Sequence, residues 1–155
     1  MAKRDRMTAL CDELQSTWHE GIPISAAMGI EIAHFADDEL VVKAALAPNI
    51  NVHGTAFAGS LYAICALTGW GMTWLKLRSA GLAGRIVIAE GQIRYRRAVA
   101  EDIVCTCRFD PSEHAAILAG VRQSGSGTLP LVCTITTGGR EAVRFEGVYA
   151  VRRSE

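Results

Sequence analysis

The run Asn51-Val-His-Gly-Thr-Ala-Phe-Ala-Gly-Ser-Leu-Tyr-Ala-Ile-Cys-Ala-Leu-Thr-Gly-Trp-Gly-Met-Thr-Trp-Leu75 decides how this chain folds, because no charged side chain interrupts the sequence between Lys43 and Lys76. A helix this apolar must be covered on all sides. About 20 apolar residues suffice to cross a bilayer, and Ala56 to Leu75 approaches that length. Gly59, Ser60, Thr68, Gly69, Gly71 and Thr73 dilute the run, however, and no second such run occurs. The reading is a core helix over about Thr55 to Leu77, with small residues where backbone approaches backbone, rather than a membrane span. A polar, glycine-bearing loop feeds into it, so the unpaired N–H groups of its first turn point toward Asn51 and His53.

Outward from this helix the pattern is that of strands. Upstream, Leu10, Leu14 and Trp18 recur at four-residue spacing and predict an amphipathic helix over Thr8 to Glu20, part of an N-terminal extension covering residues 1–22. Ile24 to Phe35 reads as a first strand and Leu40 to Leu46 as its antiparallel partner around Asp37-Asp38, with Pro48 closing the pair. Downstream, Ile86 to Tyr95 and Ile103 to Phe109 follow period two. Pro111 to Ala119 is a short helix or loop that Asp110 or Ser112 can cap, and Ser124 to Thr128 is a flexible turn. Leu129 to Thr137 and Ala142 to Arg152 form a final hairpin around Gly138-Gly139. The class is α+β: six mostly antiparallel strands around one long helix. Such a sheet does not close on itself, so its edges need cover, and a homodimer or a dimer of dimers is expected.

Composition narrows the function. The 155 residues suit one domain with a sizeable core, half of them are hydrophobic, and 16 basic residues balance 16 acidic ones. That balance speaks against nucleic acid as a partner, since phosphate binders carry a net basic surface. Cys11, Cys65, Cys105, Cys107 and Cys133 are odd in number and lie mostly in apolar patterns, as expected of free thiols in the cytoplasm. Cys105 and Cys107 form C-x-C, which lacks the spacing of a zinc site, so no metal is expected. The basic N-terminus has no apolar run behind it of the kind that directs export.

The loop and helix start Gly54-Thr-Ala-Phe-Ala-Gly-Ser-Leu-Tyr62, the Gly69-Trp-Gly71 step and the strand Ile86-Val-Ile-Ala-Glu-Gly-Gln-Ile-Arg-Tyr95 give the chain a family resemblance. From about Ile24 to Arg152 it resembles the hotdog fold of acyl-CoA thioesterases and acyl-thioester dehydratases. In particular it is similar to a bacterial family of putative thioesterases found standalone or fused C-terminal to an acetyltransferase domain. The resemblance implies a single hotdog domain over residues 1–155, acting on a thioester of coenzyme A or acyl carrier protein with no other cofactor. Better understood acyl-CoA thioesterases run from an Asn through Gly-Thr into His-Gly-Gly, with an acid further along the helix. Asn51 matches the Asn and Gly54-Thr55 the Gly-Thr, but Phe57-Ala58-Gly59 stands where His-Gly-Gly belongs. The helix acid falls at Ala66, or at Tyr62 if His53-Gly54 is taken as the His-Gly.

The candidate chemistry follows from what remains. Ala58 and Gly59 offer backbone N–H groups for the oxyanion of a tetrahedral intermediate, each donor worth about 2.7–4 kcal/mol, with the helix dipole acting in the same sense. The base is then His53 at the loop or Glu90, the carboxylate of the Ile86 to Tyr95 strand. Asn51 either orients the thioester or fixes the loop. Gly54, Thr55, Phe57, Ser60, Tyr62 and Arg94 line or anchor the substrate; Ser60 is alternatively a nucleophile or a packing residue. Trp70 and Trp74 are core or dimer contacts. Lys76, Arg94, Arg96 and Arg97 are candidates to dock coenzyme A phosphates. The rival reading is a non-catalytic acyl-thioester binding module or a partner of an acetyltransferase. A dehydratase is a weaker enzymatic alternative, since it also needs a placed His and acid.

Overall fold

In a computed structural model, which describes residues 2–154, helix α1 (Ala2–Gly21) leads into a short helix α2 (Pro23–Ala27) and the hairpin β1 (Glu31–Ala36) and β2 (Glu39–Ala44). A 3-10 turn (Ala47–Asn49) and the polar loop precede the central helix α3 (Ala58–Ser79). Then come β3 (Gly84–Tyr95), β4 (Ile103–Arg108), helix α4 (Pro111–Ser124), β5 (Ser126–Thr137) and β6 (Arg140–Arg153). All strand pairs are antiparallel, in the order β1-β2-β4-β5-β6-β3, so β1 and β3 are the two edges. Among the described residues no helix is long and apolar enough to cross a membrane.

Alternation assigns the two faces of the sheet. Leu40, Val42 and Ala44 on β2, Ile103, Cys105 and Cys107 on β4, and Leu129, Leu131, Cys133 and Ile135 on β5 are buried. On β6, Phe145 meets Tyr62 of α3 edge-on at 5.2 Å, and the Tyr149 hydroxyl donates to the Ala66 carbonyl of α3 at 2.8 Å. These residues define the inner face. Helix α3 shows no amphipathic stripe because it is wrapped: the sheet holds one side and α1 the other. A Cβ on Gly69 would lie 2.2 Å from the Tyr149 hydroxyl, and one on Gly71 would lie 2.6 Å from the Trp18 ring. Both glycines are therefore fixed by close packing.

Three local expectations are corrected. The strand read over Ile24 to Phe35 begins only at Glu31, because Pro23 stands in the first turn of α2 and Gly29, at φ +71°, turns the chain afterwards. The central helix starts at Ala58 rather than near Thr55, because Thr55 and Ala56 are held elsewhere: the Asn51 N–H donates to the Thr55 carbonyl at 2.7 Å and the Ala56 N–H to that of Val99 at 2.8 Å. The flexible turn expected over Ser124 to Thr128 is a single residue, Gly125, at φ +85°, between α4 and β5. Asp110 does cap α4, accepting from the Ser112 hydroxyl at 2.7 Å and the Ser112 N–H at 3.0 Å, and these bonds hold its carboxyl below the usual range. A carboxyl depressed in this way stabilises the fold above its ordinary pKa, and the contribution is lost as pH falls through the folded value. Of the five free cysteines, four are buried, with Sγ of Cys65 and Cys105 3.8 Å apart.

Candidate active site

The loop before α3 is built around Asn51. Its Oδ1 accepts from the backbone N–H of His53 at 2.8 Å and of Thr55 at 3.1 Å, and its Nδ2 donates to the Thr55 hydroxyl at 2.9 Å. Gly54 completes the turn at φ +79°, a conformation that favours glycine. The Asn51 side chain is thus committed to loop geometry, and what it positions is His53, whose side chain is exposed.

The loop delivers the chain to α3 with Phe57 as N-cap, and no side chain caps the helix. The first intrahelical bond runs from the Leu61 N–H to the Phe57 carbonyl at 3.0 Å. The N–H groups of Ala58 and Gly59, both exposed residues, therefore lie open at the positive end of a 22-residue helix. The Phe57 ring folds over this turn: a Cβ on Gly59 would lie 2.4 Å from it. Ser60 is buried one position later, with 9% exposure, which favours a packing role over that of a nucleophile.

Tyr95, a residue that pattern reading did not single out, ties the end of β3 to this turn, its hydroxyl donating to the Ala58 carbonyl at 3.0 Å. Tyr62 stands one turn further along α3, between Phe145 and Gly91, where a Cβ would lie 2.0 Å from its hydroxyl. Tyr62, Phe145 and Gly91 form the wall between α3 and the β3 edge.

Glu90 and Arg94 lie elsewhere. Opposed residues of an antiparallel ladder share a face. Ile88 pairs with inward Tyr149, but Glu90 pairs with Val148 because a bulge at Ala89 interrupts the register. Val148 and Glu146 alternate with the inward residues of β6, so Glu90 projects from the outer face, away from α3. Without the bulge Glu90 would oppose Gly147 and face inward. The expectation that Glu90 shares a cavity with Asn51 and the Ala58–Gly59 turn is thus not met within one chain. Arg94 also points outward, directly opposite Arg144, and with Arg96 the two surround a small pocket of ≈ 230 Å³. Lys76 is occupied by an ion pair with Asp38 and by the Phe109 ring, 4.4 Å from its Nζ. Trp74 is buried, and the Trp70 indole donates to the Ile86 carbonyl at 2.9 Å, tying α3 to β3.

Comparison with known proteins agrees with this architecture. The sequence profile of a family described as "Putative thioesterase (yiiD_Cterm)" matches residues 11–153. The crystal structure of a putative thioesterase from Shewanella oneidensis is 38% identical, covers 92% of this chain and 97% of its own, and superposes with a TM-score of 0.84. A protein from Chlorobaculum tepidum TLS is 30% identical over 93% of this chain and 94% of its own, with a TM-score of 0.87. A Pseudomonas aeruginosa protein at 19% identity, covering 92% of this chain and 95% of its own, shares the fold with a TM-score of 0.78. With the profile spanning nearly the whole chain and the helix-wrapping sheet common to these structures, the chain belongs to this putative thioesterase family of the hotdog fold.

Proposed function

We propose that the chain hydrolyses an acyl thioester at the N-terminus of α3. The observation that carries this reading is the uncapped first turn, whose Ala58 and Gly59 N–H groups stand open, with the Tyr95 hydroxyl on the Ala58 carbonyl and His53 exposed in the loop that leads into the helix. With the thioester carbonyl oxygen on those two donors, water attacks the carbonyl carbon and His53 takes its proton. The tetrahedral intermediate collapses, the C–S bond breaks, and the leaving thiolate takes the proton back from His53. A carboxylic acid and a thiol result. Asn51, with Gly54 and Thr55, positions His53; Phe57, Ser60 and Tyr62 bound the acyl group. Glu90, on the outer face, is left out of this step.

Replacing Ala58 with proline tests the oxyanion donors directly. The helix tolerates proline at its first position, and the extended Phe57 (φ −63°, ψ 133°) suits a following proline, so the fold is kept while one N–H is deleted. The expected result is a fall in kcat of roughly 10²–10³-fold with little change in melting temperature. An unchanged kcat with acyl-CoA substrates refutes the assignment.

The substrate carrier is coenzyme A or acyl carrier protein, and the outer pocket of Arg94, Arg96 and Arg144 suits the phosphates of either. Arg96 and Arg144 share Glu141, and Arg144 also faces Glu146, whereas Arg94 makes no ion pair among the described residues and is the cation left to meet a phosphate. Arg94→Ala is expected to raise KM for acyl-CoA roughly 3–10-fold with kcat nearly unchanged, which steady-state kinetics reads.

A homodimer through β3 accompanies this reading. That strand is an edge of 12 residues, and on its inner face Ile88 and Tyr95 remain 40% and 48% exposed, although the Tyr95 hydroxyl reaches the first turn of α3. A second copy covers both. A cytoplasmic location belongs to the same reading, and the free thiols support it, since a reducing compartment keeps cysteines unpaired. One observation favours the alternative of a binding module without catalysis: α3 has no charged residue before Lys76, and Ala66 occupies the helix-acid position. Tight binding of acyl-CoA without turnover is the result that selects it.

A further inference from the structure

The outer face of the sheet carries a second concavity, a groove of ≈ 840 Å³ running from β3 across β6 and β5 to the N-terminus of α4. Its size is that of small-molecule sites. Val132 and Val148 give it an apolar floor, and its charged lining is Glu90, Glu146, Glu113 and Asp110 with one cation, Arg108, which is ion-paired to Glu39 at 2.8 Å. Glu90 reaches this face through the bulge at Ala89 and makes no ion pair among the described residues. Glu146 is diagonal to it across the β3–β6 ladder, a separation of about 7–8 Å, and has Arg144 Nε at 3.7 Å.

His114 supplies the second, independent feature. Its residue exposure is only 5%, yet it lines the groove. Nδ1 accepts the Asp110 N–H at 2.9 Å, which puts the proton of the neutral ring on Nε2. That Nε2 has no hydrogen-bond partner among the described residues; the nearest carboxylate oxygen, on Glu113, is 3.9 Å away. The ring is enclosed but this N–H opens on the groove, where an acceptor on a ligand can meet it.

We propose that this groove binds a small primary amine that also bears a carbonyl or amide oxygen. The ammonium lies between Glu90 and Glu146, the alkyl chain over Val132 and Val148, and the carbonyl oxygen accepts from His114 Nε2. The site is separate from the α3 N-terminus, since the sheet stands between them. Its four carboxylates, against the single ion-paired Arg108, favour a cation over the phosphates of a thioester carrier.

The test titrates the full chain with 6-aminohexanamide in low salt, by calorimetry, against hexanamide, which lacks the charge, and hexylamine, which lacks the acceptor. The expected result is saturable binding of 6-aminohexanamide, weaker by roughly 10–100-fold for hexanamide and for Glu90→Gln, and weaker again as salt rises. His114→Phe is expected to abolish the preference over hexylamine. Glu90→Gln leaves thioester hydrolysis unchanged, which separates this site from the proposed active site. No saturable binding, equal binding of hexanamide, or indifference to Glu90→Gln overturns the proposal.

Discussion

Replacing His53 with glutamine is expected to lower kcat for acyl-thioester hydrolysis by about 10²–10⁴-fold, the range of a lost general base, with KM within a few-fold and the melting temperature unchanged. The substitution isolates chemistry because His53 is exposed and only its backbone N–H is committed to the loop, through Asn51. Glutamine keeps that N–H and a similar reach but cannot take a proton. The two oxyanion donors are backbone groups and stay in place, so a residual rate above that of water is expected from them alone. Asn51→Ala provides the contrast. It releases the His53 and Thr55 N–H groups and the Thr55 hydroxyl together, so it should lower kcat through loss of position and also loosen the loop, which hydrogen exchange at residues 51–57 would register. If His53→Gln retains full activity, the base lies elsewhere. If the wild-type chain binds acyl-CoA but turns none over, the binding-module reading replaces hydrolysis.

The elements of this fold were legible where their signal is local. The uncharged run between Lys43 and Lys76 announces a helix that must be surrounded, and the alternation of Leu40, Val42 and Ala44 announces a half-buried strand. The loop chemistry was also partly readable, since an Asn three residues before a glycine at positive φ is a turn with a mechanism. Glu90 was not. Which face it takes depends on one extra residue, Ala89, in a ladder whose partner strand lies more than 50 residues away, and a one-residue slip reverses every side chain. Tyr95 escaped for a related reason: its value lies in reaching Ala58 from the far end of β3, a contact made by tertiary structure alone. His114 sits in a segment whose short apolar pattern fixed neither helix nor loop. The Asp110 N–H, donating to its Nδ1 at 2.9 Å, and the Phe109 ring, 5.1 Å from its own, hold it at the groove.

Trp18→Ala is expected to destabilise the fold by about 3–5 kcal/mol, a large part of the margin of a small domain. The indole is fully buried, and its Cζ2 would lie 2.6 Å from a Cβ on Gly71, so the Trp18 ring fills the space between α1 and the backbone of α3. Alanine leaves a cavity the width of an indole beside a glycine that cannot fill it. At roughly 2–4 °C per kcal/mol for a chain of this length, the melting temperature should fall by about 6–20 °C. Trp18→Phe separates packing from polarity. The Trp18 Nε1–H is buried with no partner, a cost of about 1–3 kcal/mol that phenylalanine removes while keeping most of the ring. Its loss should therefore be less than half that of alanine. Ile24→Ala, at a side chain 63% exposed, should change stability by no more than about 0.5 kcal/mol. A melting temperature for Trp18→Ala within 2 °C of wild type, roughly the effect of 1 kcal/mol or less, would show that α1 is only laid against the domain. A drop of the expected size makes the N-terminal helix a wall of the same core that holds the Ala58–Gly59 turn in place.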